Sequence, residues 1–259
     1  MVRKQSIPEK IYVVIIFILL YVPLIILAFW SFNDSISRSQ WGGFTFRWYI
    51  GLFQNEEIMS AVATTAKLTV SAAIIATILG TLACIGMIAL NKKIQGALTT
   101  INDIPMLNAD IVTGIALMLL FMRFIGLGFT SMLIAHVTLT TPYVILNVMP
   151  KIRSANTSVY EAALDLGASP VYAFFRITLP EIFPGILSGF LMAFTLSLDD
   201  FVVTYFTKGP GINTISTMIY QQMRRGINPQ MYALSTILFV AVLVILLVIN
   251  RLSSADRRR

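Results

Sequence analysis

The chain has 259 residues, of which 57% are hydrophobic and 12% charged, with a mean hydropathy of +0.80. A soluble domain carries about 25% charged residues, so the composition excludes an ordinary soluble protein and describes an all-α, polytopic membrane protein. The formal charge of +7 then reads as basic loops on one side of a bilayer rather than as nucleic-acid binding, and the single cysteine, Cys84, excludes an intramolecular disulfide.

Six hydrophobic runs are expected to span as helices: roughly 11–30, 64–90, 104–123, 129–149, 182–203 and 232–250. A lipid-exposed backbone must satisfy its own hydrogen bonds, and about 20 residues cross a ~30 Å hydrocarbon core. The whole chain, 1–259, reads as one transmembrane domain. Met1-Val-Arg-Lys before the first run imitates a signal peptide. The run is long enough to span, however, and no small-x-small cleavage site follows it. Placing both termini in the cytoplasm puts twelve lysines and arginines inside and six outside, as the positive-inside bias requires.

The loop before the second span gathers Trp41, Phe44, Phe46, Trp48 and Tyr49. Aromatics there serve as interfacial anchors, and the ring of Trp48 is also a surface on which an ammonium group can rest. Ala72, Ala76, Gly80 and Cys84 recur every four residues in the second span, a face that lets another helix approach closely. In the third span Asp110 lies about seven residues in, so roughly 10 Å below the inner face. It is read either as a pathway carboxylate or as a hydrogen-bond partner of His136. Phe124 to Gly128 reads as a tight turn. Pro23 and Pro142 fall inside spans and are expected to bend them.

Residues 150–181 form a polar, structured-looking loop between the fourth and fifth spans. Ser158 and Glu161 have capping-box spacing, which predicts a short helix to about Leu166. Gly167 suits a left-handed stop. Ser169 and Pro170 suit the start of a second short helix carrying Val171, Phe174, Phe175 and Thr178. Near the outer end of the fifth span, Asp199 and Asp200 are adjacent. Such a pair favours a bound cation, and intramembrane acids are expensive enough to imply use. No Gly-x-x-x-x-Gly-Lys-Ser/Thr segment is present, so the chain lacks that phosphate cradle. No cofactor or metal site of its own is legible.

The run Glu161-Ala162-Ala163, Gly167 and then Leu179-Pro180 resembles the EAA loop of ABC-importer permeases. Phe46-Arg-Trp48-Tyr49, Asp110-Ile-Val, Ser197-Leu-Asp199-Asp200-Phe-Val-Val and Gly209-Pro210 extend the resemblance to the permease subunits of spermidine/putrescine importers. It implies a type I importer permease in a bacterial plasma (inner) membrane, paired with a second permease, two ATPase subunits that carry ATP and Mg, and an extracellular solute-binding protein. It further implies a substrate pathway through Trp48, Asp110, Ser197, Asp199 and Asp200. ATPase coupling would run through Glu161, Ala162, Ala163, Gly167, Leu179 and Pro180. Leu107-Asn108-Ala109 departs from the Ser-Pro-like turn expected before Asp110. Three other readings stay open: a permease for a metal, amino acid or anion; an ion-coupled secondary transporter using Asp110 and Asp200; and an intramembrane aspartyl hydrolase.

Overall fold

The computed structural model describes residues 7–35, 40–225 and 228–256, which are helical almost throughout. Contacts divide the chain into two compact units, Met1–Met59 with Ile219–Arg259, and Ser60–Met218.

The first unit holds α1 (Ile7–Trp30), α2 (Arg47–Gln54) and α12 (Pro229–Asp256), with α1 and α2 packed on α12. The loop between α1 and α2 is organised by Asn33, which is 1% exposed. Its Oδ1 accepts from the Gly42 and Ser35 amides, its Nδ2 donates to Gln40 O, and its carbonyl accepts from Trp48 Nε1 at 2.7 Å. Of the aromatics read in this loop, Phe44, Phe46 and Tyr49 gather around Phe32, whereas Trp41 packs on Phe29 and Trp30 and Trp48 lies under Arg47. One asparagine thus satisfies the buried backbone that a loop otherwise leaves unpaired.

The second unit holds most of α3 (Glu56–Ile88), then α4 (Lys92–Leu107), α5 (Asp110–Phe124), α6 (Phe129–Ser154), α7 (Thr157–Asp165), α8 (Pro170–Ala173), a π-helical turn (Phe174–Thr178), α9 (Leu179–Asp199) and α10 (Val202–Thr207). α11 (Ile215–Arg225) runs from this unit into the other. At the centre is α6, whose Val144 is fully buried. A Cβ added to Gly80 of α3 would meet Val144 Cγ1 at 2.8 Å, and one added to Gly189 of α9 would meet Val144 Cα at 3.2 Å. The small-residue face of α3 therefore does bring a helix close. Ala73, Ala76 and Cys84 of α3 join Val144, Val148 and Ala193 in the core.

Among the described residues, four helices are long and apolar enough to cross a membrane: Ile11–Trp30, Glu56–Ile88, Phe129–Ser154 and the continuous run Pro170–Asp199. The third expected span, 104–123, is not straight. α4 and α5 meet at 102° across Asn108 and Ala109, the geometry of a broken span or a re-entrant loop. The last expected span falls within α12, which runs unbroken from Pro229 to Asp256. The fifth ends early, with α9 stopping at Asp199 and α10 starting afresh at Val202. The turn at Phe124 to Gly128 forms as expected, with Gly126 at φ 76°.

Candidate functional site

A cavity of about 350 Å³ lies where the α4–α5 break meets the α9–α10 break, beside α6. Asp110, His136, Tyr143, Ser197, Asp199 and Asp200 all line it. Asp110 was expected near one membrane face and the paired aspartates near the other. The kink at Asn108 and Ala109 overturns that geometry, because Asp110 opens the first turn of α5 instead of sitting partway along a straight helix. Nor does Asp110 bond His136.

The two adjacent aspartates differ in what holds them. The Asp200 carboxylate accepts from the Val203 amide at 3.3 Å, the Thr204 amide at 2.7 Å and the Thr204 hydroxyl at 2.8 Å. It thereby caps α10, satisfying amides that a helix start leaves unpaired. Asp200 O accepts from Ser216 Oγ at 2.9 Å. Among the described residues, Asp110 and Asp199 make no side-chain hydrogen bond or ion pair, and both are exposed to the cavity. Tyr143 and Phe201 add aromatic surface to the same walls.

His136 is 2% exposed. Its Nδ1 lies 2.8 Å from Ser197 Oγ on α9, and its Nε2 lies 2.8 Å from Thr204 Oγ1 on α10 and 3.5 Å from Asp200 Oδ2. One imidazole thus ties three helices together across the α9–α10 break. Trp48 is not among the cavity residues. It belongs to the other unit, where its indole N–H is spent on Asn33 and the Arg47 guanidinium sits 4.4 Å from its ring centroid.

The loop after α6 is built locally. The N-cap of α7 is Asn156, which accepts from the Ser158 amide at 3.0 Å, and not Ser158 as its spacing with Glu161 suggested. An asparagine two residues ahead takes the role because Asx turns compete well at helix starts. Leu164 O accepts from Gly167 N and Ala163 O from Ala168 N, with Gly167 at φ 86°, the two bonds of a Schellman stop. Ser169 then caps the next helix by accepting from the Tyr172 amide. That helix does not end as a separate short element. It passes through the π turn, in which Leu179 N donates to Phe174 O, and continues into α9. Pro180 explains the widening, since it has no N–H to donate and its ring crowds the preceding turn. Glu181 Oε1 accepts from Asn156 N at 2.9 Å and so staples the loop's beginning to α9. Glu161, Ala162 and Gly167 are exposed, as are the apolar side chains of Leu166, Val171 and Phe175. Leu179 is half-buried and Pro180 exposed.

Residues 76–258 match the family described as binding-protein-dependent transport system inner membrane component. The chain belongs to this family. Among curated relatives, it is 38% identical over 244 residues to the putrescine transport system permease protein PotI of Escherichia coli K12, covering 91% of this chain and 87% of the relative. It is 34% identical over 245 residues to the spermidine/putrescine transport system permease protein PotC of the same organism, covering 94% and 92%. Among solved structures, a bacterial ABC transporter that imports alginate superposes with a TM-score of 0.72 at 20% identity, over 95% of this chain and 94% of that one. The family's helical fold is thus reproduced here, in a chain that crosses the membrane several times.

Within this family member, His136, Thr204, Asn156 and Glu181 are the site residues that the sequence did not disclose. His136 was legible only as a packed, hydrogen-bonded histidine. Its partners stand 61 and 68 residues away, and no local pattern carries that pairing. Asp200 was the one readable signal, because an acid just ahead of a helix accepts from the backbone amides of its first turn, here Val203 and Thr204.

Proposed function

We propose that this chain is a transmembrane subunit of an ATP-driven importer for polyamines, working by alternating access. The carrying observation is the cavity in which Asp110 and Asp199 stand without protein partners, beside Tyr143 and Phe201. Two separate carboxylates suit two ammonium groups, and the aromatic walls suit the methylenes between them. The family membership and the polyamine permeases among the relatives support the same reading. The partners are then a PotB-like second permease, two PotA-like ATPases holding ATP and Mg, and a PotD-like solute-binding protein. Both termini lie in the cytoplasm of a bacterial cell. Trp48, Ser197 and the aspartates receive the substrate, and the loop at Glu161 to Gly167, with Leu179 and Pro180, takes up the motion of the ATPases. ATP hydrolysis occurs on the partner chains.

The test is uptake of spermidine and putrescine by the assembled complex in proteoliposomes. A charge-assisted hydrogen bond is worth about 1.5–3 kcal/mol, so Asp199→Asn or Asp110→Asn should raise KM about ten- to hundred-fold while the complex still assembles. Unchanged polyamine uptake in both variants rejects a polyamine cavity. Uptake by the isolated chain without ATP rejects the importer and favours a secondary transporter.

A further inference from the structure

We propose that His136 is a positioning residue that turns the oxygen of Ser197 toward the substrate, making this serine an acceptor for an ammonium N–H. The inference rests on the polyamine reading above and adds a residue to it.

The argument starts from Asp200. An ionised carboxylate only accepts, so across the 2.8 Å contact with Asp200 Oδ2 the Thr204 hydroxyl must donate. A hydroxyl has one proton. Across its 2.8 Å contact with His136 Nε2, Thr204 Oγ1 is therefore the acceptor, and Nε2 carries the hydrogen. A neutral imidazole has one N–H, which leaves Nδ1 bare. Ser197 Oγ, at 2.8 Å from Nδ1, must then donate. The chain runs in one direction: Ser197 O–H to His136, His136 to Thr204, and Thr204 to the Asp200 carboxylate.

Two comparisons within α9 give this direction its meaning. Ser188 Oγ and Thr195 Oγ1 donate back to the carbonyls of Pro184 and Leu191, the usual fate of a hydroxyl inside a helix. Ser197 makes no such bond among the described residues and faces His136 instead. Its side chain is buried and its one proton is committed to His136, which lines the same cavity, so its lone pairs are what remain for a ligand. Hydrogen bonds aligned head to tail polarise one another, and here the anchor is a carboxylate, so the serine oxygen gains electron density. The same arrangement disfavours an anion or a bare acceptor, because no donor is on offer at that point. Asp200 thus contributes to cation recognition from a distance, while Asp110 and Asp199 contribute directly.

His136 is the chain's one histidine, which makes it addressable. The 15N-histidine NMR spectrum of the assembled complex in lipid, differenced against His136→Gln to assign the signal, should show the neutral Nε2–H tautomer. An imidazolium or an Nδ1–H tautomer overturns the proposal, since either would make Ser197 accept from the ring. In uptake assays, Ser197→Ala and His136→Phe should each raise the polyamine KM about ten-fold with kcat little changed, and the double variant should match the single ones. His136→Gln keeps one donor and one acceptor and should recover most of the affinity. Additive losses, or a loss confined to kcat and assembly yield, overturn the proposal in favour of a purely structural histidine. If instead the unmodified complex ignores polyamines, the functional reading fails. Should polyamine uptake persist with the wrong tautomer or with additive losses, only this inference fails.

Discussion

The two ends of the run Pro170–Asp199 are built in opposite ways. At its start, the elbow formed by α7, Gly167 and Ser169 is held mainly by bonds between residues a few positions apart, with the one staple from Asn156 to Glu181, and apolar side chains face outward, with Leu166 89% exposed. At its end, Ser197 and Asp200 are held by His136 of α6 and Ser216 of α11, which reach across from other elements, in addition to the neighbouring Thr204. Thirty helical residues at 1.5 Å each separate them by about 45 Å. An exposed, locally folded elbow can be gripped by another protein without unfolding. A cross-braced cavity keeps its shape while the helix is pushed. The join between these regimes is continuous helix, in which the hydrogen-bond ladder widens at the π turn before Pro180.

The elbow should be the easier end to disable outright. Gly167 has φ 86°, a conformation that costs an L-residue about 1–2 kcal/mol and a β-branched one more. With Gly167→Val, α7 should no longer stop and turn back at this point. The expected outcome is loss of nearly all uptake and of substrate-stimulated ATPase activity, with substrate still bound at its original affinity. Isothermal titration beside an ATPase assay separates the two. If affinity falls together with uptake, the two ends are not independent and the contrast collapses.

The cavity end offers a finer division, between neighbours. Asp199→Asn should change KM and leave the melting temperature of the complex in place. Asp200→Asn removes a carboxylate that caps α10 and anchors the His136 chain. Replacing an ionic acceptor at a helix start costs about 1–3 kcal/mol, so the complex should melt several degrees lower, and KM should shift only in second place. Equal melting temperatures for the two variants would mean that Asp200 is a ligand carboxylate like its neighbour.

How far each end could be read from the sequence follows from the same contrast. Gly167, Ser169 and Pro170 announced the elbow because capping is written within three or four residues. The small-residue face at Gly80 was equally legible, and Val144 is what it packs against. The cavity was not legible as a place. Asp110, Ser197 and Asp199 could be picked out as residue types, yet their meeting depends on a 102° break at Asn108 and Ala109, where no glycine or proline marks the bend. Counting about 1.5 Å per residue along an unbroken span therefore separated Asp110 from Asp199 and Asp200, which line the same cavity. The continuity of α8 into α9 was hidden for the converse reason. Leu179-Pro180 looks like a stop, and only a π turn lets the helix run through it.

The smallest effect concerns which residue starts the elbow. Asn156 caps α7, while Ser158, two residues on, contributes its backbone N–H and, among the described residues, no side-chain hydrogen bond. Removing a capping asparagine costs about 1 kcal/mol, and an exposed serine away from such a feature changes stability by under about 0.5 kcal/mol. Asn156→Ala should therefore lower the melting temperature of the complex by a small but measurable amount, and Ser158→Ala should not. Because Glu181 Oε1 also accepts from the Asn156 backbone, which the alanine variant keeps, the loop should stay stapled to α9 and uptake should fall only slightly. A reversed order of the two variants would return the cap to Ser158 and its partner Glu161. That residue would then be engaged within the elbow, against the coupling role proposed for it.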